Sequence, residues 1–112
     1  MKSALEQIRL RILVLKVRKC VEETIECFVQ GSDLNTSSMR KKLSEVVFDE
    51  VSLIVNESEL CGLINYLVIC NETNNTCSII NSGSVCCDVN IALKKCPNSI
   101  NVSCMLVKEG KE

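Results

Sequence analysis

Nine cysteines in a chain of 112 residues constrain this protein more than any other feature of its sequence. Aromatic residues make up only 3% of the chain, so a core of Val, Ile and Leu lacks the large rings that usually dominate burial. Disulfides would compensate, because each contributes about 2–4 kcal/mol to the stability of a small domain. The disulfide candidates are the cysteines of the second half, Cys61, Cys70, Cys77, Cys86, Cys87, Cys96 and Cys104.

The last six cysteines follow the order C-x6-C-x8-CC-x8-C-x7-C. This order resembles that of the cystine-knot miniproteins, which share the C–C–CC–C–C arrangement. The resemblance covers the 35 residues from Cys70 to Cys104 and implies a stapled β-structure. Eight residues follow the CC pair here, where those proteins have a short segment.

Spacing along the chain gives a first expectation for the pairing. Cys70 and Cys77 flank an Asn-rich turn, so we predict that they pair. Cys86 and Cys87 point to opposite faces of a strand and should have different partners. An odd total leaves one thiol free or bridging to a second chain, which allows a disulfide-linked dimer. The alternative is that the cysteines are small buried hydrophobes in a reducing cell.

Asn-x-Ser/Thr triplets give a second, independent signal for the compartment. A shuffled chain would contain roughly 1.4 of them. This chain has five, which begin at Asn35, Asn56, Asn71, Asn74 and Asn101. N-glycosylation requires exposed asparagines and an oxidising lumen, the same compartment in which cysteines pair. The two signals together predict a secreted protein or the extracellular face of a membrane.

The amino-terminal segment gives no support for export. The apolar stretch from Ile8 to Val17 is interrupted by Arg9, Arg11 and Lys16, so no signal peptide is visible. We therefore expect either a domain taken from a longer precursor or, as the alternative, a cytoplasmic protein.

Hydrophobic periodicity predicts helices in the first half. A first helix carries an apolar stripe at helical spacing: Leu10, Val14, Val17, Val21 and Phe28. A second apolar stripe lies on its other side: Leu5, Ile8, Ile12 and Leu15. Two apolar sides predict a helix between partners, or else a strand over residues 8–17. A second helix is capped by Ser37 or Ser38 and ends before Asn56.

The second half predicts mainly strands. Leu60 to Val68 fits a short helix, although Tyr66 to Cys70 fits a strand equally well. Alternating apolar residues predict strands at 76–80, 85–93 and 100–106. We predict an α+β fold, with N-terminal helices packed on a disulfide-stapled, C-terminal antiparallel β-meander. Residues 1–112 form one domain, with a charged helical half at 1–58 and a Cys/Asn-rich, mainly β half at 59–112.

Catalysis is not expected. The chain has no histidine, which removes the commonest general base, and its four glycines form no phosphate-binding loop. No metal site is predicted, because C-x2-C spacing and histidine are both lacking. No cofactor is implied.

Basic residues concentrate near the amino terminus. They are the basic-face candidates Arg9, Arg11, Lys16, Arg18 and Lys19. A net charge of -1 and the lack of interleaved aromatic residues disfavour nucleic acid as a partner, whereas a membrane surface remains an option. The alternative, without a role in binding, is a charged outer face of the helix whose basic residues pair with acidic residues downstream.

The sequence therefore predicts a non-enzymatic, disulfide-stabilised, N-glycosylated binding or structural module of a secreted or membrane-anchored protein, with a protein partner. The alternative is an intracellular cysteine-rich accessory protein that binds RNA, a membrane or a host partner through its basic first helix.

Overall fold

The computed structural model describes residues 4–29, 35–95 and 99–107. Its helices are Ala4–Val29 (α1), Ser37–Glu57 (α2) and Cys77–Asn81 (α3). Its strands are Ile64–Ile69 (β1), Val85–Leu93 (β2) and Ile100–Leu106 (β3). They form an antiparallel sheet in the order β1-β2-β3, which confirms the predicted α+β fold.

The two long helices form a layer on one face of the sheet. They pack against each other, and α1 also contacts β3 while α2 contacts β1. Both helices bury one stripe at helical spacing, as the periodicity predicts. The buried stripes are Leu10, Leu13, Val17, Val21 and Ile25 in α1 and Met39, Leu43, Val47, Val51 and Val55 in α2.

The central strand β2 alternates between the core and the outer face of the sheet. Cys87, Val89 and Ile91 are fully buried under the helices. In the register, Cys87 lies opposite Cys104 and Val89 lies opposite Val102. The outward positions of β2 between them are polar, because Asp88 lies opposite Ser103 and Asn90 lies opposite Asn101. The sheet therefore has one covered face and one solvated face.

The open alternatives are settled in favour of a helix over residues 8–17 and a strand over residues 64–69. The predicted strand at 76–80 is wrong, because residues 77–81 form the short helix α3. Thr76 caps this helix by accepting a hydrogen bond from the backbone N–H of Ile79. The connection between β1 and β2 is therefore a helical crossing rather than a tight hairpin.

The predicted disulfide stapling is not seen among the described residues. Eight cysteines are free thiols: Cys20, Cys27, Cys61, Cys70, Cys77, Cys86, Cys87 and Cys104. Cys96 lies outside the described residues. The expected Cys70–Cys77 bridge is absent, since Cys70 is buried at the end of β1 and Cys77 is exposed at the start of α3.

Within the described part of the chain, no helix combines the length and the apolar character that a membrane-spanning segment needs.

Candidate functional site

The solvent-facing side of α1 carries large aliphatic side chains. We call Leu5, Ile8, Ile12 and Leu15 the outer stripe. Their side chains are exposed by 52%, 54%, 49% and 66% respectively. At 3.6 residues per turn they fall within about a quarter of the helix circumference. They form a continuous apolar ridge of about 15 Å on a helix whose opposite side is already buried.

Basic side chains border this ridge on both sides. Arg9 and Lys16 lie along one side and Arg11 and Arg18 along the other, and the members of each pair are about two helical turns apart. Lys19 continues the line of the outer stripe one turn after Leu15. We call these five residues the basic flanks.

Two of the five basic flank residues are already engaged by the protein. Arg9 forms an ion pair with Glu59, which follows α2. Arg18 donates from Nη1 to the backbone oxygen of Ser103 in β3, at 3.4 Å. Arg11, Lys16 and Lys19 are exposed and form no ion pair or hydrogen bond within the described residues. Among these five residues, only Arg9 pairs with a carboxylate within the described part of the chain, and its partner Glu59 lies outside α1.

The outer face of α1 changes sign towards its carboxyl end. Glu22, Glu23 and Glu26 are exposed there, about two to three turns beyond the outer stripe. The face therefore consists of an apolar, basic segment over residues 4–19 and an acidic segment after it.

The glycosylation candidates divide into two groups, and two of the asparagines have engaged amide nitrogens. Asn35 is buried, and its Nδ2 donates to Asn75 Oδ1 at 3.0 Å and to the backbone oxygen of Ser84 at 2.7 Å. Asn74 is half-buried, and its Nδ2 donates to the backbone oxygen of Ile69 at 2.7 Å and to Asp88 at 3.2 Å. A glycan is attached at this nitrogen, so it would displace these bonds.

The other three candidates are exposed. Asn56 lies at the end of α2, Asn71 follows β1, and Asn101 lies on the outer face of β3. Asn71 uses its Oδ1 to accept a hydrogen bond from the backbone N–H of Thr73, so this bond does not engage the Nδ2 at which a glycan would be attached. These three positions are sterically open to modification.

A buried polar network explains why Asn35 is inaccessible. We define it as Asn35, Arg40 and Asn75 with the backbone groups they bind. Arg40 donates from Nη1 to Asn35 Oδ1 at 2.7 Å. Asn75 binds both backbone groups of Cys86, accepting from its N–H at 2.8 Å and donating to its C=O at 2.9 Å. The Asn75 amide thus pairs with the start of β2 as a neighbouring strand would.

Sequence reasoning missed Arg40 and Asn75 as interior residues. Asparagine in a run of turn-forming residues indicates a surface turn, and arginine on a helix indicates a solvated face. Asn75 binds Asn35, 40 positions away, and Asn35 in turn binds Arg40 and Ser84, 5 and 49 positions away. No local pattern signals such contacts.

Three thiols lie between the sheet and the helices. A hydrogen bond from the Cys87 thiol is the main cause that lowers the pKa of Cys70, and the same bond together with burial raises the pKa of Cys87. Burial raises the pKa of Cys104 to about 11. Within the part of the chain that the structure describes, no three Cys, Asp or Glu side chains are arranged to hold a metal ion.

No protein-family model, curated protein or solved structure matches this chain.

Proposed function

We propose that this protein is a non-enzymatic binding module that docks through the outer face of α1. The observation that carries the proposal is the exposure of all four residues of the outer stripe on a helix whose inner stripe is fully used. Apolar ridges of this kind mark interaction surfaces, because leaving adjoining large aliphatic side chains in water is unfavourable. Scattered single exposures would need no such explanation.

The choice of α1 over other surfaces follows from comparison with α2. Leu53 is 56% exposed on α2, but its neighbours on that face are the charged side chains of Asp49 and Glu50. The outer stripe of α1 instead continues for three turns without an acidic residue on the same side. The lack of histidine supports binding rather than catalysis.

Site-specific photocrosslinking in the cells that make the protein tests this proposal. A photoreactive phenylalanine analogue at Leu15 should form adducts with a bound partner, whether protein or lipid. The same analogue at Leu53, which is similarly exposed on α2, is the matched control and should form few. Equal yields of adducts from the two positions would refute docking through α1.

We propose a glycosylated, disulfide-stabilised module of a secreted or membrane-anchored protein as the second candidate. The exposure of Asn56, Asn71 and Asn101 supports it. Cys87 and Cys104 lie directly opposite each other on neighbouring antiparallel strands, so they are the pair that we expect to close in an oxidising compartment.

Intact mass of protein made in a glycosylating secretory pathway, with and without removal of N-glycans, tests the second candidate. We expect glycans at the three exposed positions and not at Asn35 or Asn74. Thiol counting under denaturing, non-reducing conditions completes the test. A protein with nine free thiols and no glycan would refute it.

A further inference from the structure

We propose that the partner of the outer face of α1 is an anionic lipid bilayer surface, on which residues 4–19 lie with the outer stripe inserted among the headgroups. This inference rests on the proposed docking through α1 and names the partner. The chemistry that recognises such a surface is an apolar ridge with cations on both sides of it. Both parts are present on one side of one helix.

The charges beside the ridge argue against a second copy of this chain. In a helix pair, the residues that border the apolar seam face their counterparts across it. Here both borders are basic, with Arg9 and Lys16 on one side and Arg11 and Arg18 on the other. Two copies would therefore place like charges together, which is unfavourable. The partner has to be negative on both sides of the ridge.

The length of the outer stripe argues against an acidic partner helix. The outer stripe occupies alternating three- and four-residue steps, as the seam of a coiled coil does. It ends after Leu15, because Lys19 and Glu22 take the next two seam positions. A stable seam needs about three or four heptads, and only two are apolar here. A bilayer needs no matching seam, since lipid adapts to a short convex ridge.

The basic flanks can contact a bilayer without any rearrangement of the helix. Arg11, Lys16 and Lys19 are exposed and unpaired within the described residues, so their long side chains can extend from the ridge to lipid phosphates. Arg18 donates to a neutral backbone oxygen of Ser103 and keeps its positive charge at one border. Glu59 offsets the charge of Arg9 and leaves Lys16 as the free cation of the other border. Glu22, Glu23 and Glu26 would be repelled, which limits contact to the first half of α1.

Vesicle co-sedimentation of the full chain tests the inference. The probes are phosphatidylcholine vesicles containing phosphatidylglycerol, beside vesicles of phosphatidylcholine alone. We expect binding to the anionic vesicles only, and its loss when the salt concentration is raised. Arg11→Gln/Lys16→Gln should weaken binding about 30-fold, because each basic side chain near an anionic surface contributes about a factor of five. Lys41→Gln/Lys42→Gln on α2 is the charge-matched control and should bind like the wild type.

An apolar pair of variants separates insertion from simple charge attraction. Leu15→Gln should weaken binding to anionic vesicles several-fold, whereas Leu53→Gln, at a similarly exposed position on α2, should not. Wild-type protein that fails to bind the anionic vesicles overturns the inference, and so does equal weakening by the α1 and α2 variants. Protein adducts from Leu15 with no vesicle binding would leave docking through α1 standing and refute the bilayer. Failure of both experiments would refute both.

Discussion

The outer stripe of α1 leaves four aliphatic side chains in solvent, whereas the connection between β1 and β2 helps to bury a polar network. Both regions depart from the usual arrangement of apolar residues inside and polar residues outside. The first exposes apolar side chains, and the second buries polar ones. The network is satisfied, because no buried side-chain nitrogen or oxygen in the described residues lacks a hydrogen-bond partner. Nothing in the described chain covers the outer stripe. The difference separates a structural device, which is complete within the chain, from a surface that needs a partner.

Removing Asn75 should give the largest loss of stability. Asn75→Ala leaves the N–H and C=O of Cys86 without their partners in the interior and removes one of the two acceptors of Asn35 Nδ2. Each unsatisfied buried group costs about 1–3 kcal/mol, so we expect a loss of about 3 kcal/mol or more. The urea midpoint measures it, with the exposed Asn65→Ala as control, within about 0.5 kcal/mol of the wild type. A small effect of Asn75→Ala would mean that the network contributes little to folding.

Arg40 is another member of the network, and removing its charged group should give a smaller loss of stability. Arg40→Met keeps most of the buried apolar stem but removes the donor to Asn35 Oδ1 and to its backbone oxygen. We expect a loss of about 2 kcal/mol in the free energy of unfolding. Lys41→Met, at the exposed neighbouring position, should change it by less than about 0.5 kcal/mol. Equal urea midpoints for the two variants would contradict the structural role of Arg40.

Local sequence patterns account for most of the fold. The stripe from Leu10 to Val21 predicts α1, and the alternation of apolar residues in 85–93 and 100–106 predicts β2 and β3. The second stripe of α1 is also visible in the sequence, where it predicts a helix between partners. What the sequence leaves open is whether that stripe is covered by another part of the chain.

The errors arise where long-range contacts or capping override the local pattern. Residues 76–80 alternate as a short strand would, but the hydroxyl of Thr76 caps a helical turn instead. The sequence alone predicts an exposed Asn35 at the start of a glycosylation triplet. It does not show the partners that bury this residue, Asn75 and Ser84, because they are far away in sequence. The cysteine spacing resembles a disulfide framework, yet a core of Val, Ile and Leu under two helices buries Cys87 and Cys104 as free thiols.

The buried thiol of Cys104 is a third kind of group, because its contribution to stability depends on pH. Its thiol donates to the backbone oxygen of Arg18, and burial raises its pKa from 9.0 to about 11. The folded state therefore holds this proton more tightly than the unfolded chain. The resulting stability is fully present below about pH 9 and is lost as the pH rises towards 11. The midpoint of thermal unfolding should fall less steeply over this range in Cys104→Ala than in the wild type or in the exposed control Cys77→Ala.

Variants in the outer stripe of α1 should give the smallest change in the free energy of unfolding. Ile12 and Leu15 contact water on the outer face of α1, so Ile12→Gln and Leu15→Gln should each change the free energy of unfolding by less than about 0.5 kcal/mol. Leu13→Ala, one position away on the buried side, should cost about 2–5 kcal/mol. Urea unfolding of the three variants measures both sides of one helix. If the glutamine variants lose as much stability as Leu13→Ala, the outer stripe is covered within the protein itself. It would then be unavailable for binding a partner.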